Sequence, residues 1–286
     1  MQIKLHTIQA GWFKLDGGAM FGVVPKTLWQ RLNPPDENNL CTWALRCLII
    51  ETPQRRILVD TGIGTKQDDK FRSFFHPHGT IDIEQALQAE GFSVDDITDV
   101  WITHLHFDHV GGAVKRVGEE LVPTFPNARY WVDEEHWKWA VEPNERERAS
   151  FLRENFLPLQ EHGVLHFMPK SLSGWTPLDD QIRVVRCYGH THGMMLPYIV
   201  TDSYRLLFGA DLLPSQFHVR MPYVMSYDVR PLTTLKEKAA LFHEAIEKDV
   251  IIFLEHDPKD ACIRIHRDER GRYAVKEAGT LNDFIP

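Results

Sequence analysis

Cysteine, net positive charge and long apolar runs are all in short supply, and each shortage narrows what the chain can be. Four cysteines among 286 residues, Cys41, Cys47, Cys187 and Cys262, form no C-x-x-C pair and fall far below the density of a disulfide scaffold. Cys41 and Cys47 bracket an apolar run, Cys187 ends one and Cys262 begins one, so all four read as reduced, buried small hydrophobes. With 32 Lys and Arg against 40 Asp and Glu, the formal charge of −8 offers no general attraction to phosphate backbones, and no nucleic-acid partner is expected. No apolar stretch approaches transmembrane length, and the first residues alternate rather than forming a secretory apolar core. No membrane partner and a cytoplasmic location are therefore expected. Repeats, low-complexity tracts and flexible linkers are missing too, so residues 1–286 are expected to form a single domain.

What is present is an ordinary globular composition, 43% hydrophobic and 25% charged, enough to bury a sizeable core. Alternation predicts strands over Ile3 to Gln9, Leu40 to Glu51 and Arg56 to Val59, with Thr52-Pro53-Gln54 joining the last two as a hairpin. Helical spacing covers Ile81 to Ala89, and Val100 to Thr103 is a short apolar strand. Arg129 to Val132 is predicted as a strand, Asp133 as the cap of a helix through Trp139, and Glu145 to Phe156 as an exposed helix. Three short strands follow, Ile182 to Tyr188, Leu196 to Thr201 and Arg205 to Phe208. A helix from Lys236 to Lys248, opened by Thr234 and Glu237 as a capping box, precedes the apolar strand Val250 to Leu254.

The densest chemical signal is Thr103-His104-Leu105-His106-Phe107-Asp108-His109, which places three imidazoles and a carboxylate at a strand-to-helix turn. Side chains alternate along extended chain, so His104 and His106 point to one side, while the turn lets Asp108 and His109 face a second ion. Gly111-Gly112 permits a close helix approach. By contrast, His76 and His78, and the pair His162 and His166, lack strand-end placement and are expected to be solvated.

This H-x-H-x-D-H segment resembles that of the metallo-β-lactamase superfamily, whose later ligands also stand at strand ends. Here His190 follows Ile182 to Tyr188, Asp211 follows Leu206 to Ala210, and His256 follows Ile251 to Glu255, over a resemblance spanning roughly residues 40 to 260. The resemblance implies a four-layer αββα sandwich, an α/β fold of two mixed sheets flanked by helices. It also implies that His104, His106 and His190 hold one metal, that Asp108, His109 and His256 hold the other, and that Asp211 bridges them. Two zinc ions suit imidazole and carboxylate donors, with manganese or ferrous iron as substitutes. Redox relatives carry Glu where this chain has His106, which points to hydrolysis. Asp60, in Asp60-Thr61-Gly62, matches a position where a carboxylate accepts a ligand imidazole N–H, or alternatively caps a turn.

A metal-activated hydroxide needs no serine or cysteine nucleophile. Asp211 as bridge resembles glyoxalase II, lactonase and phosphodiesterase branches more than the zinc β-lactamases. Asp16 to Gly22, Gly189 to Met194 and Gly209 to Pro214 resemble N-acyl homoserine lactone lactonases and their organophosphate-hydrolysing relatives, with Met20 and Phe21 either meeting an acyl chain or forming an apolar plug under a loop. The implied substrate is a small ester or lactone, with Asp108 and Asp211 catalytic. Pro214 stands in the neighbourhood where some lactonases have a proton-donating tyrosine, which makes His218 the first candidate for that role and Tyr223 and Tyr227 the next. The alternatives are a glyoxalase-II-like thioesterase, a phosphotriester hydrolase, or a metal-binding scaffold without activity. An aromatic-rich entrance to the site would be compatible with a homodimer.

Overall fold

A computed structural model describes residues 3–171 and 174–285. In chain order the strands are β1 (Lys4–Asp16), β2 (Leu40–Glu51), β3 (Arg56–Val59), β4 (Asp99–Trp101), β5 (Val114–Val117), β6 (Glu120–Pro123), β7 (Arg129–Val132) and β8 (Leu165–Phe167). They continue with β9 (Ile182–Cys187), β10 (Met194–Val200), β11 (Arg205–Phe208), β12 (Ile251–Phe253), β13 (Cys262–Arg267) and β14 (Tyr273–Gly279). Among the described residues they form two six-stranded sheets, ordered β1-β2-β3-β4-β7-β8 and β14-β13-β12-β11-β10-β9, and the ribbon β5-β6. Both large sheets are mixed: β3, β4, β7 and β8 run parallel to one another, as do β11 and β12, and the remaining pairs are antiparallel.

Strand β2 shows why the sheets are layered. Its Leu48 and Ile50 belong to the core shared with Leu207, Phe208 and Ile252 of the second sheet, whereas the intervening Cys47 and Ile49 join Ile83, Ala86 and Leu87 of the helix Ile83–Ala89. A strand buried on both faces reads as a continuous apolar run, as Leu45 to Ile50 nearly does. On the second sheet, Phe242 and Ala245 of the helix Pro231–Glu247 enter the same core. This is a mixed α/β fold of two sheets with helices packed against them. No described helix is long and apolar enough to cross a membrane.

Three elements differ from expectation. Strand β1 continues past Gln9 to Asp16 because the register shifts between Gln9 and Trp12, where Gly11 has φ +94°. Residues 145–156 do not form the expected helix. Asn144 Oδ1 accepts the N–H groups of Arg146 and Glu147, and Glu147 turns inward, leaving only a short 3-10 turn at Arg153–Asn155. The last helix starts at Pro231, not after Thr234, because Glu237 serves another purpose: its carboxylate accepts the N–H groups of Tyr188 and Gly189 beside His190.

Candidate metal centre

The turn after β4 is held from behind. Thr103 donates its N–H and its hydroxyl to Asp60 at 2.7 and 2.6 Å, and Asp60 itself stands at the end of β3 with φ +56°. The short helix Phe107–Val110 then lies flat against residues 61–64: Thr61 N–H donates to His109 O, and Cβ atoms at Gly111 and Gly112 would fall 2.0 Å from Ile63 O and 2.2 Å from Thr61 O. Closeness, not backbone sign, demands glycine here, since Gly111 has φ −59°. From the opposite sheet, His190 follows β9, Asp211 follows β11 and His256 follows β12.

These strand ends converge. Donor atoms of His104, His106, His190 and Asp211 lie within 4.8 Å of one another, as do those of Asp108, His109 and His256, and all seven side chains are buried. Asp211 spans the two groups, with Oδ2 3.1 Å from His190 Nε2 and Oδ1 3.2 Å from His256 Nε2.

Hydrogen bonding fixes which nitrogen of each imidazole faces inward. His190 Nδ1 lies 2.8 Å from Asp228 Oδ1, and His256 Nδ1 lies 2.8 Å from Ala44 O. His109 Nδ1 lies 3.1 Å from both Asp60 Oδ2 and Glu255 Oε2. His104 Nδ1 is 3.0 Å from Thr103 Oγ1, whose own hydrogen goes to Asp60, and His106 Nε2 is 3.5 Å from Glu147 Oε1. Each outward nitrogen faces an acceptor, at ion-pair rather than hydrogen-bond distance for His106 Nε2, so the inward nitrogens are the ones placed to offer lone pairs to a metal. His106 Nδ1 and His190 Nε2 then face each other at 3.1 Å, as do His109 Nε2 and His256 Nε2, and buried His104 Nε2 and Asp211 Oδ1 have no hydrogen-bond partner. Two lone pairs at that separation repel unless a proton or a metal cation lies between them. The donor set fits divalent metal.

The sequence profile described as the Metallo-beta-lactamase superfamily matches residues 46–256, a span holding all seven side chains. The chain belongs to the metallo-beta-lactamase superfamily. It is a metallo-hydrolase with a His/Asp metal site. A probable metallo-hydrolase of Mycobacterium tuberculosis is 27% identical over 245 residues, covering 75% of this chain and 76% of that protein. An N-acyl homoserine lactonase, AiiA, of Bacillus thuringiensis subsp. kurstaki is 25% identical over 268 residues, covering 89% and 93%. Among solved structures, a probable metal-dependent hydrolase from Staphylococcus aureus superposes with a TM-score of 0.85 at 26% identity, covering 96% of this chain and 97% of that one.

Within this superfamily fold a cavity of about 430 Å³ opens over His106, Asp108, His190, Asp211 and His256. Its apolar wall is Leu15, Met20, Phe75, Phe107 and Met225, and its polar wall includes Arg146, Glu147, Ser150, Ser226 and Tyr227. Burial and the neighbouring imidazoles hold His104 below its ordinary value, and burial does the same for His106. Burial would raise Asp211, but His190, His109 and His256 outweigh it and hold the carboxyl well below the usual range. Glu147 is likewise pushed up by burial and brought down to about 2 by hydrogen bonds from His106, Thr191 and Asn144.

His218 is not where proton donation requires it. It lies outside the cavity wall, 1% exposed and stacked on Phe21 at 5.3 Å, with Nδ1 2.8 Å from Ser215 Oγ and Nε2 2.9 Å from Met20 O. Burial takes its pKa to about 3, so the ring is neutral and fully engaged. Phe21 is buried between Trp29 and His218, so of the Met20-Phe21 pair only Met20 reaches the cavity. Tyr223 packs edge-on against Phe21, also outside the wall. His192 stacks on Trp139 and uses its carbonyl to accept from His136 Nδ1. Arg264 and Arg272, on the β13-β14 hairpin, pair with nearby carboxylates and are absent from the cavity wall.

Glu147, Asp228, Glu255 and the Arg146 side chain carry no local motif. Of these only Glu255, adjacent to His256 at a strand end, had a positional signal in the sequence.

Proposed function

We propose that this metallo-hydrolase opens a lactone ring, an N-acyl homoserine lactone or a related cyclic ester, at a dinuclear zinc centre held by His104, His106 and His190 on one side, Asp108, His109 and His256 on the other, and Asp211 between. Two zinc ions in these donors would acidify a water at neutral pH and polarise an ester carbonyl, with manganese or ferrous iron as substitutes. The observation that carries the reading is the cavity: its lining joins five apolar side chains to Asp108, Asp211 and three of the histidines, His106, His190 and His256. The lactonase AiiA, similar over 89% of the chain, supports the same substrate class.

The remaining work falls to the chain's own side chains. Leu15, Met20, Phe75, Phe107 and Met225 shield an acyl tail from water and hold the ring over the floor. Asp211 and Asp108, as carboxylates, orient the attacking water by accepting its hydrogens. Tyr227 replaces His218 as the proton donor to the ring oxygen: it lines the cavity, and a phenol is protonated at neutral pH.

Zinc-loaded protein should convert N-acyl homoserine lactones to the ring-opened acid, read by mass spectrometry. kcat/KM should rise with chain length until the wall is covered, by at most about 1 to 3 kcal/mol per buried methylene. A glutathione thioester and a phosphotriester serve as comparisons. Efficient thioester cleavage with no lactone turnover would replace this reading with a glyoxalase-II-like one.

A further inference from the structure

The cavity wall at residues 144–151 and the metal centre share one buried side chain. Glu147 is 2% exposed and lines the cavity. Its Oε1 lies 3.5 Å from His106 Nε2 and accepts from Thr191 Oγ1 at 2.6 Å, one residue past His190. Its Oε2 accepts from Trp139 Nε1 and Asn144 Nδ2, both at 2.7 Å. Every hydrogen-bonded partner is a donor, and His106 Nε2, which has no hydrogen-bond partner of its own, faces the carboxylate at the limit of hydrogen-bond reach, an orientation that turns Nδ1 inward.

The other inward-facing imidazoles lean on different supports: Thr103, the strand-end carboxylates Asp60 and Glu255, the carbonyl of Ala44 in β2, and Asp228. His106 leans on the irregular segment that also supplies Arg146, Ala149 and Ser150 to the cavity. That segment is tied to the site at two further points. Ser150 O accepts from Phe107 N–H at 3.0 Å, and the Arg146 guanidinium donates to the carbonyls of Ser226 and Asp228.

We propose that Glu147 is a positioning residue for His106, setting its tautomer and coupling metal occupancy of the His104-His106-His190 position to the order of the 144–151 cavity wall. This rests on the reading of the site as a metal centre. A cation on His106 Nδ1 makes the Nε2–H a stronger donor to Glu147 and fastens the wall. By reciprocity, a fastened Glu147 holds His106 in its ligating orientation.

The test uses the full chain, stripped of metal and titrated with zinc against a chromophoric chelator, together with hydrogen exchange over residues 144–151 with and without zinc. Wild type should take up two ions and gain protection in that segment. Glu147→Ala should weaken one ion by roughly 10- to 100-fold, leave the other, and lose the zinc-dependent protection. Glu147→Gln keeps an acceptor oxygen but turns amide hydrogens toward other donors, so it should fall between the two. Should both variants fail to fold, ¹⁵N-histidine spectra of zinc-loaded wild type still decide: His106 must carry its hydrogen on Nε2. Two ions bound with unchanged affinity in Glu147→Ala, or a hydrogen on His106 Nδ1, overturns the coupling alone. A wild-type chain that takes up no zinc overturns the metal-centre reading and the coupling with it.

Discussion

The proposed proton-transfer role has two candidate side chains, and surroundings separate them. His218 stands nearer Asp211 in sequence, yet its ring nitrogens are consumed by Ser215 and Met20, deep in an aromatic cluster with Phe21 and Trp43. Tyr227 is farther along the chain but 36% exposed and in the cavity wall. Tyr227→Phe should lower kcat on a lactone by about 100-fold or more, the usual worth of a positioned acid, while zinc content and KM change little. Steady-state kinetics beside elemental analysis measures both. A kcat equal to wild type would remove Tyr227 from the reaction, and loss of zinc would make its role structural.

At the scale of the element, the helix Pro231–Glu247 carries an ammonium into the interior. Lys238 is 1% exposed, donates to Tyr223 O at 2.8 Å, and so braces the segment leading to Met225 and Tyr227. Burial lowers its pKa to about 7, against about 10.4 in an unfolded chain. Between those values the unfolded state binds more protons, so this lysine makes stability rise with pH across the window. Below about 7 both states are charged and the penalty is constant, and above about 10.4 both are neutral. Lys238→Met removes the titration. The stability of wild type minus that of Lys238→Met, from urea unfolding at fixed metal, should therefore increase between pH 7 and 10, by up to about 1.4 kcal/mol per unit. A difference that stays level with pH would show that Lys238 does not titrate in this way.

Across the whole molecule the proposed ligands come from both sheets: His104, His106, Asp108 and His109 follow β4 of the first, and His190, Asp211 and His256 follow β9, β11 and β12 of the second. Metal bound there staples the sheets together at one end and stabilises only the folded chain. Ligand at 100 times its Kd adds about 2.7 kcal/mol per site, and each kcal/mol is worth roughly 2 to 4 °C in a protein somewhat smaller than this one. Zinc-loaded protein should thus melt at least about 5 to 10 °C above chelator-treated protein by calorimetry. Equal melting temperatures would mean that the ligands do not join the sheets through an ion.

Sequence alone determined what depends on covalent spacing. Strands β3, β7 and β11 begin and end where alternation and turn residues put them, and His104 to His109 are neighbours in the chain, so a six-residue window suffices to see their chemistry. The helix expected over residues 145–156 failed because its periodic pattern was outbid by contacts of Glu147 with Asn144, Trp139, Thr191 and His106, the last two of them distant in sequence. Tertiary structure alone decided which nitrogen each imidazole turns inward, that Glu147 and Asp228 stand behind His106 and His190, and that Tyr227 rather than His218 faces the cavity. Apart from His104, turned by its neighbour Thr103, those outcomes are set by hydrogen bonds or contacts formed across about 40 to 200 residues, and a pattern of neighbours holds no record of which distant acceptor will be in reach.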